Sequence, residues 1–208
     1  NFVPQHIECF DNSNIQGCDP ICACVVFKNG RPDKKSYRFF NIKTVIGAND
    51  FASIEEGVFR RYMRVLKEGG GMPGLIVIDG GKGQLNAAVK GLEKIRLKTR
   101  PIVIGIAKKM EGIYLEGGRL PVYLNKRSQS LKLIQQLRDE AHRFSLKNHR
   151  KKRIRNTLKN SLNNIHGIGP KTVETLISRF GSVKKVLEAN TGELAALVGK
   201  SRAKKITG

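Results

Sequence analysis

Acidic residues are scarce in this sequence. Asp and Glu number 17 against 39 Lys and Arg, a formal net charge of +22 over 208 residues. A surface charged only for solubility mixes its signs. The imbalance therefore argues for a polyanionic partner, whose phosphates release condensed counterions when cations neutralise them. Long hydrophobic runs are also missing. No apolar stretch approaches the ~20 residues that span a bilayer, and no signal peptide is visible, so a cytoplasmic protein with no membrane partner is expected. Cysteine is sparse and poorly spaced for zinc: Cys9, Cys18, Cys22 and Cys24 include no C-x2-C pair and have no His cluster nearby. Reduced, partly buried thiols are expected instead. The sequence starts without Met and stops in a basic, helix-like stretch, which reads as a fragment of a longer protein.

What is present is a hydrophobic content of 39%, enough for a packed core. Short extended runs at Ile7–Asp11, Ile21–Lys28 and Ser36–Ile42, with Asn29-Gly30 as a hairpin signal, predict an antiparallel meander. Phe51, Ile54, Val58, Tyr62 and Val65 recur at helical spacing, which predicts a helix from about Asp50 to Lys67. Leu75–Ile78 and Ile102–Ala107 are continuous apolar runs, as in strands covered on both faces. A helix from about Lys82 to Ile95 lies between them, a short extended piece covers Gly112–Leu115, and an amphipathic helix covers Ser128–Phe144. The order predicts an α/β mixed sheet with flanking helices over residues 1–150. A basic linker over 151–160 and a small all-α domain over 161–208 are expected to follow.

Asp11 closes the first strand and shares a face with Ile7 and Cys9. Asp79 closes the strand LIVI, ahead of Gly80-Gly81. Open α/β sheets bind ligands at the carboxyl ends of their strands. Two carboxylates on neighbouring strands would make a hard-oxygen site for Mg2+ or Mn2+, whereas either Asp alone reads as a loop or helix cap. His142 follows Asp139 by one helical turn and could ligate metal or transfer a proton, although a lone helical His is more often structural. Gly80-Gly81-Lys82-Gly83 is not a P-loop, because the phosphate-loop spacing is incomplete and no Ser or Thr follows the Lys. Asp139-Glu140-Ala141-His142 spells a helicase box, but no phosphate loop precedes it.

Ile165-His166-Gly167-Ile168-Gly169-Pro170-Lys171 reads as a tight helical hairpin, with a weaker copy at Leu197-Val198-Gly199-Lys200-Ser201. In the first hairpin Gly167 and Gly169 let a backbone phosphate come close to the next helix N-terminus, and Lys171 adds charge. Such a contact carries no base specificity. In the copy, Gly199 is kept and Ser201 replaces the second glycine. The basic run that includes Arg150, Lys151, Lys152 and Arg153 reads as a solvated linker that also grips phosphate.

Seven strings together carry a resemblance: IECFDNSNIQG, YRFFNIKT, NDFASIEEGVFRRYMRVL, LIVIDGGKGQLNAA, IGIAKK, LIQQLRDEAHRFSLKNHRKKR and NIHGIGPKT. From about Ile7 onward the sequence resembles the C-terminal half of the UvrC family of bacterial excision-repair nucleases. The resemblance implies an RNase H-like endonuclease domain followed by tandem helix-hairpin-helix motifs. It further implies a metal-dependent 5′ incision beside a lesion in double-stranded DNA, with UvrB and UvrA as partners in the UvrABC system and this chain as a monomer. The family's catalytic Asp-Asp-His set falls on Asp11, Asp79 and His142. A further acidic position falls on Asp50, in a motif that reads Asn49-Asp50-Phe51-Ala52 here and so keeps one carboxylate. Where the family often has Ser-His after the first Asp, this chain has Ser13-Asn14. The 3′-incising domain and the UvrB-contacting segment belong to regions absent here. Two other classes stay open: a DNA-binding scaffold on a degenerate nuclease fold, and a ribonuclease acting on RNA–DNA hybrids.

Overall fold

The computed structural model describes residues 3–15, 18–43, 49–107 and 112–207, with side chains outside 13–19, 148–161 and 163. The chain divides into two compact units, 1–149 and 150–208.

The first unit is built on one mixed sheet. Strands β1 (His6–Ile15) and β2 (Cys18–Lys28) pair antiparallel, with a register shift between Ser13 and Ile15. At Asn29 and Gly30 the chain reverses with φ of 51° and 72°. Both are positive, as a turn matched to strand twist requires, and Asn and Gly tolerate that region best. The expected strand over Ser36–Ile42 is present as β4 (Arg38–Asn41), paired with β2; ahead of it lie an unexpected two-residue strand, β3 (Arg31–Pro32), also on β2, and a turn of 3-10 helix over Lys34–Ser36. Pro32 lacks an N–H for the ladder and belongs at an edge. Asp33 stabilises the turn through Ser36 (2.7 Å) and Lys28 (2.9 Å).

Helix α1 (Asp50–Lys67) follows, then β5 (Leu75–Asp79), α2 (Lys82–Glu93), β6 (Ile102–Ile106) and β7 (Ile113–Leu115). The strand order is β3-β2-β1-β5-β6-β7, with β4 also on β2; β5 lies parallel to both β1 and β6. Helix α1 turns Ile54, Val58 and Tyr62 into the core and packs on α2. Gly91 permits that approach, since a Cβ there would lie 2.7 Å from the Glu55 carbonyl oxygen.

Helix α3 runs from Gln129 to Asn163, well past the expected end at Phe144, so the residues expected as a linker, 151–160, are helical. No Gly or Pro interrupts this stretch, and Lys, Arg and Leu are good helix formers. Up to His149 the helix belongs to the first unit, where Leu131, Ile134, Leu137 and Ala141 are buried. The second unit adds α4 (Pro170–Phe180), α5 (Val183–Leu187), α6 (Thr191–Val198) and α7 (Lys200–Thr207) around a separate core that includes Leu162, Ile168, Leu176 and Leu194. No helix among the described residues is long and apolar enough to cross a membrane.

Candidate metal centre and hairpin surface

Register places the two aspartates side by side. Strands β1 and β5 pair in parallel as Ile7↔Leu75, Cys9↔Val77 and Phe10↔Ile78. The next step along both strands is Asp11 and Asp79. Neighbours in register point to the same face, so both carboxylates emerge together where the β1–β5 pairing ends: Asp79 closes β5, whereas Asp11, expected to close the first strand, lies in mid-β1, which runs on to Ile15 against β2. Both are buried, at 2% and 5% relative exposure. Gly80 turns the chain immediately after Asp79. Gly105 on β6 makes room for that turn, since a Cβ at Gly105 would lie 2.9 Å from the Gly80 carbonyl oxygen.

His142 reaches the same point from α3. Its Nδ1 lies 3.5 Å from Asp11 Oδ2, and one ligand atom from each of Asp11, Asp79 and His142 falls within 4.8 Å of the others. His142 is half-exposed and lines an open cavity with Asp79, Arg138 and Asp139. The carboxylates thus form the floor of the site and the imidazole its mouth.

The donors suit a hard divalent cation. Two carboxylate oxygens and an imidazole nitrogen make an oxygen- and nitrogen-donor set that suits a divalent cation and includes no thiolate. Two buried carboxylates this close repel each other unless a positive charge lies between them. Cys9, on the same strand face, offers no soft alternative. Burial raises its thiol pKa well above the usual value, and the charges of Asp79 and Asp11 raise it further.

Asp50 stands apart from this trio. It is the first residue of α1 and accepts a hydrogen bond from Asn12 Nδ2 at 2.9 Å. Asn12 follows Asp11 on β1 and points to the opposite face, so Asp50 contacts the strand from behind. Asn49 caps α1 by accepting from the Ala52 N–H at 3.0 Å. Asn fills that role as well as Asp, so the missing second carboxylate costs the helix little.

Sequence reasoning missed a third buried carboxylate. Glu8, fully buried on the α1 side of β1, accepts from Arg61 (2.6 and 3.0 Å), from Tyr62 Oη (3.0 Å) and from the Cys24 thiol (3.4 Å), and His6 Nε2 lies 3.1 Å away. Burial alone would raise its pKa, but the hydrogen bonds and charges of His6 and Arg61 prevail and lower it to about 2. The available signal was the period of two: Glu8 alternates with Phe10 on a face that had to be covered. Its partners Arg61 and Tyr62 lie far away along the chain.

In the second unit the first hairpin is held by Ile168, which is buried while His166, Gly167, Gly169 and Lys171 are exposed. Gly167 has φ of 90°, a region that disfavours side chains. Gly169 caps α4, and Pro170 opens that helix, where its missing N–H is not needed. In the second hairpin Gly199 alone joins α6 to α7, again with positive φ, and Lys200 and Ser201 are exposed. Nothing corresponds there to the buried anchor Ile168. The side chains of Arg150, Lys151, Lys152 and Arg153 lie outside the described residues.

A mixed sheet with aspartates side by side on two adjacent parallel strands and an imidazole above them defines an α/β domain of the RNase H type, here joined to a helix-hairpin-helix tandem. The profile described as the UvrC RNAse H endonuclease domain matches residues 1–146, and that of a SAM-like helix-hairpin-helix tandem matches residues 159–207. The chain belongs to the UvrC family. It is 56% identical to UvrABC system protein C of Christiangramia forsetii over 96% of this chain and 34% of that protein. The counterpart in Flavobacterium psychrophilum is 56% identical over 98% and 34%, and that of Porphyromonas gingivalis 51% over 97% and 34%. The chain therefore spans about a third of the length of these relatives. A solved Ciona intestinalis endonuclease V–DNA complex aligns over 51% of this chain and 46% of that one, at 14% identity and a TM-score of 0.33. That likeness is too loose to carry an argument.

Proposed function

We propose that the first unit is a divalent-metal-dependent endodeoxyribonuclease that makes the 5′ incision beside a lesion in bacterial nucleotide excision repair. In this reading it works in the cytoplasm, within the UvrABC system, and the helical unit grips the DNA backbone. The observation that carries it is the convergence of Asp11, Asp79 and His142 within 4.8 Å, in a chain of net charge +22.

Asp11 and Asp79 would hold one or two Mg2+ or Mn2+ ions, with His142 completing the donor set. A bound ion supplies charge neutralisation at the phosphate and makes water a competent nucleophile near neutral pH. The protein's part is placement. Two paired strands fix the carboxylates, so little reorganisation is needed when a phosphate arrives. His142, at the mouth, can take up or return a proton. Arg138, lining the cavity beside Asp79, adds positive charge where the phosphate approaches. Water adds to phosphorus, the P–O3′ bond breaks, and the proton passes to the leaving oxygen, giving a 5′-phosphate and a 3′-hydroxyl.

At Gly167, Gly169 and Lys171 the first hairpin presents backbone N–H groups and a cation to a phosphate. The hairpin at Gly199 and Ser201, with exposed Lys200 in place of the buried Ile168, binds more weakly, and the run Arg150–Arg153 adds charge along the backbone. Asp50 serves as a positioning residue through Asn12.

Nicking of damaged duplex DNA with Mn2+, against a chelator control, tests the reading. Asp11→Asn and Asp79→Asn should each abolish nicking and leave DNA affinity equal or higher. Retained nicking in both variants sinks the assignment, and faster cleavage of an RNA–DNA hybrid than of damaged duplex would redirect it to a ribonuclease.

A further inference from the structure

The edge of the sheet at β4 holds an aromatic ring that the proposed chemistry leaves unused. Asp11 pairs with Ala23 on β2, and Ala23 pairs with Phe39 on β4. Residues directly opposite one another share a face, so Phe39 lies on the same row and the same side as the catalytic carboxylates. With strands ~4.8 Å apart, its Cα is about 10 Å from that of Asp11. At roughly 3.4 Å per stacked nucleotide, this is about three nucleotides along a strand.

Phe39 meets Phe144 of α3 at 6.4 Å between ring centroids, yet it is 49% exposed. Around the edge of β4, on the opposite face of the sheet, a groove runs between β4 and the C-terminal half of α1. Its apolar floor includes Met63 (45% exposed) and Leu66 (39%), and Arg38, Arg64 and Lys67 stand at its sides, Arg64 paired with Glu68 at 2.7 Å. Among the described residues no carboxylate lines it. An exposed ring next to an apolar groove flanked by cations is how proteins hold an unpaired strand: bases stack on the ring while cations follow the phosphates.

We propose that this edge is a second DNA contact, in which Phe39 stacks on an unpaired base close to the cut and the strand then bends round the edge into the groove. The proposal rests on the nuclease reading for its orientation. An acidic amphipathic peptide would also suit an apolar, cation-flanked groove. The alignment of Phe39 with Asp11 favours the strand that occupies the catalytic row.

The test uses the full chain, in chelator, with a gapped duplex whose unpaired segment carries 5-iodouracil. Irradiation joins that base to the aromatic ring on which it stacks. The crosslinked peptide should contain Phe39; Phe39→Trp should keep the crosslink, and Phe39→Leu, which preserves packing on Phe144, should lose it. Affinity for the gapped duplex should fall about tenfold in Phe39→Leu. The double variant Arg64→Gln/Lys67→Gln should reduce the slope of log affinity against log salt by about 1.4. Crosslinks found only on other residues, or unchanged affinity in Phe39→Leu, would overturn the proposal. So would an acidic peptide that protects the groove while DNA never reaches it. Cleavage is not read, so loss of the nuclease assignment would show separately, in the nicking assay.

Discussion

Strand β1 carries two buried carboxylates on opposite faces, three residues apart, and the protein treats them in opposite ways. Glu8 is surrounded by donors: a guanidinium, a phenol, a thiol and an imidazole. Its charge is settled within the fold. Asp11 meets a second buried carboxylate and a half-exposed imidazole beside an open cavity. The first arrangement is a structural anchor. The second favours an added cation, because burying two adjacent negative charges costs stability that bound metal restores. A buried carboxylate is therefore a weak signal of function by itself; the identity of its neighbours decides.

The largest effects should separate the two ends by activity. Asp11→Asn and Asp79→Asn should bring nicking below detection, and in the absence of metal their thermal midpoints should equal or exceed that of the parent, since a repulsive pair is relieved. A clear drop in midpoint would place Asp11 in the same class as Glu8 and break the contrast. Next, His142→Ala should slow nicking by about 10²–10⁴-fold with little change in midpoint, measured on the same duplex.

Glu8→Gln should do the reverse. Leaving Arg61 buried without its carboxylate should cost about 3 kcal/mol of stability in denaturant titration, while nicking per folded molecule is retained. The same contrast has a pH signature. Glu8 titrates at about 2 in the folded protein against an ordinary value of 4.5. A lowered folded pKa contributes stability that is complete above pH 4.5 and is lost as pH falls through about 2, roughly 3 kcal/mol in all. Stability of Glu8→Gln should respond less to pH across that window; an equal response would assign the acid sensitivity elsewhere.

The smallest effects belong to the second unit. Gly169 has negative φ and open space where a Cβ would lie. Gly169→Ala should therefore leave the thermal midpoint unchanged and weaken DNA binding severalfold, because only an approaching phosphate would meet the methyl group. Lys171→Ala should reduce the salt slope by about 1. Normal DNA binding in both would mean that this hairpin only packs.

Much of this was legible in the sequence because it depends on short-range periodicity. The α1 stripe from Phe51 to Val65, the apolar runs of β5 and β6, and the Asn29-Gly30 turn each carry their own pattern. Asp79 was legible as a strand end; Asp11 was read as one but lies within β1, because the polar run Asn12-Ser13-Asn14 gives no sign that pairing with β2 continues, and the adjacency of the two aspartates required the β1–β5 register, which no local pattern states. The length of α3 was misjudged because charge density was read as an interruption, although charged residues with long side chains propagate helices well. The pairing of Arg31–Pro32 ahead of β4 was not anticipated, since two residues are too few to show an alternation. Glu8's partners Arg61 and Tyr62 lie 53 and 54 residues away, and nothing local announces such a contact. Phe39 gained meaning only when the register aligned it with Asp11.

The most direct test of the contrast is Mn2+ binding followed by electron paramagnetic resonance, in the parent chain, Asp11→Asn and Glu8→Gln. The account predicts that the parent and Glu8→Gln sequester Mn2+ while Asp11→Asn loses the site. Equal Mn2+ binding by Asp11→Asn and the parent would contradict it.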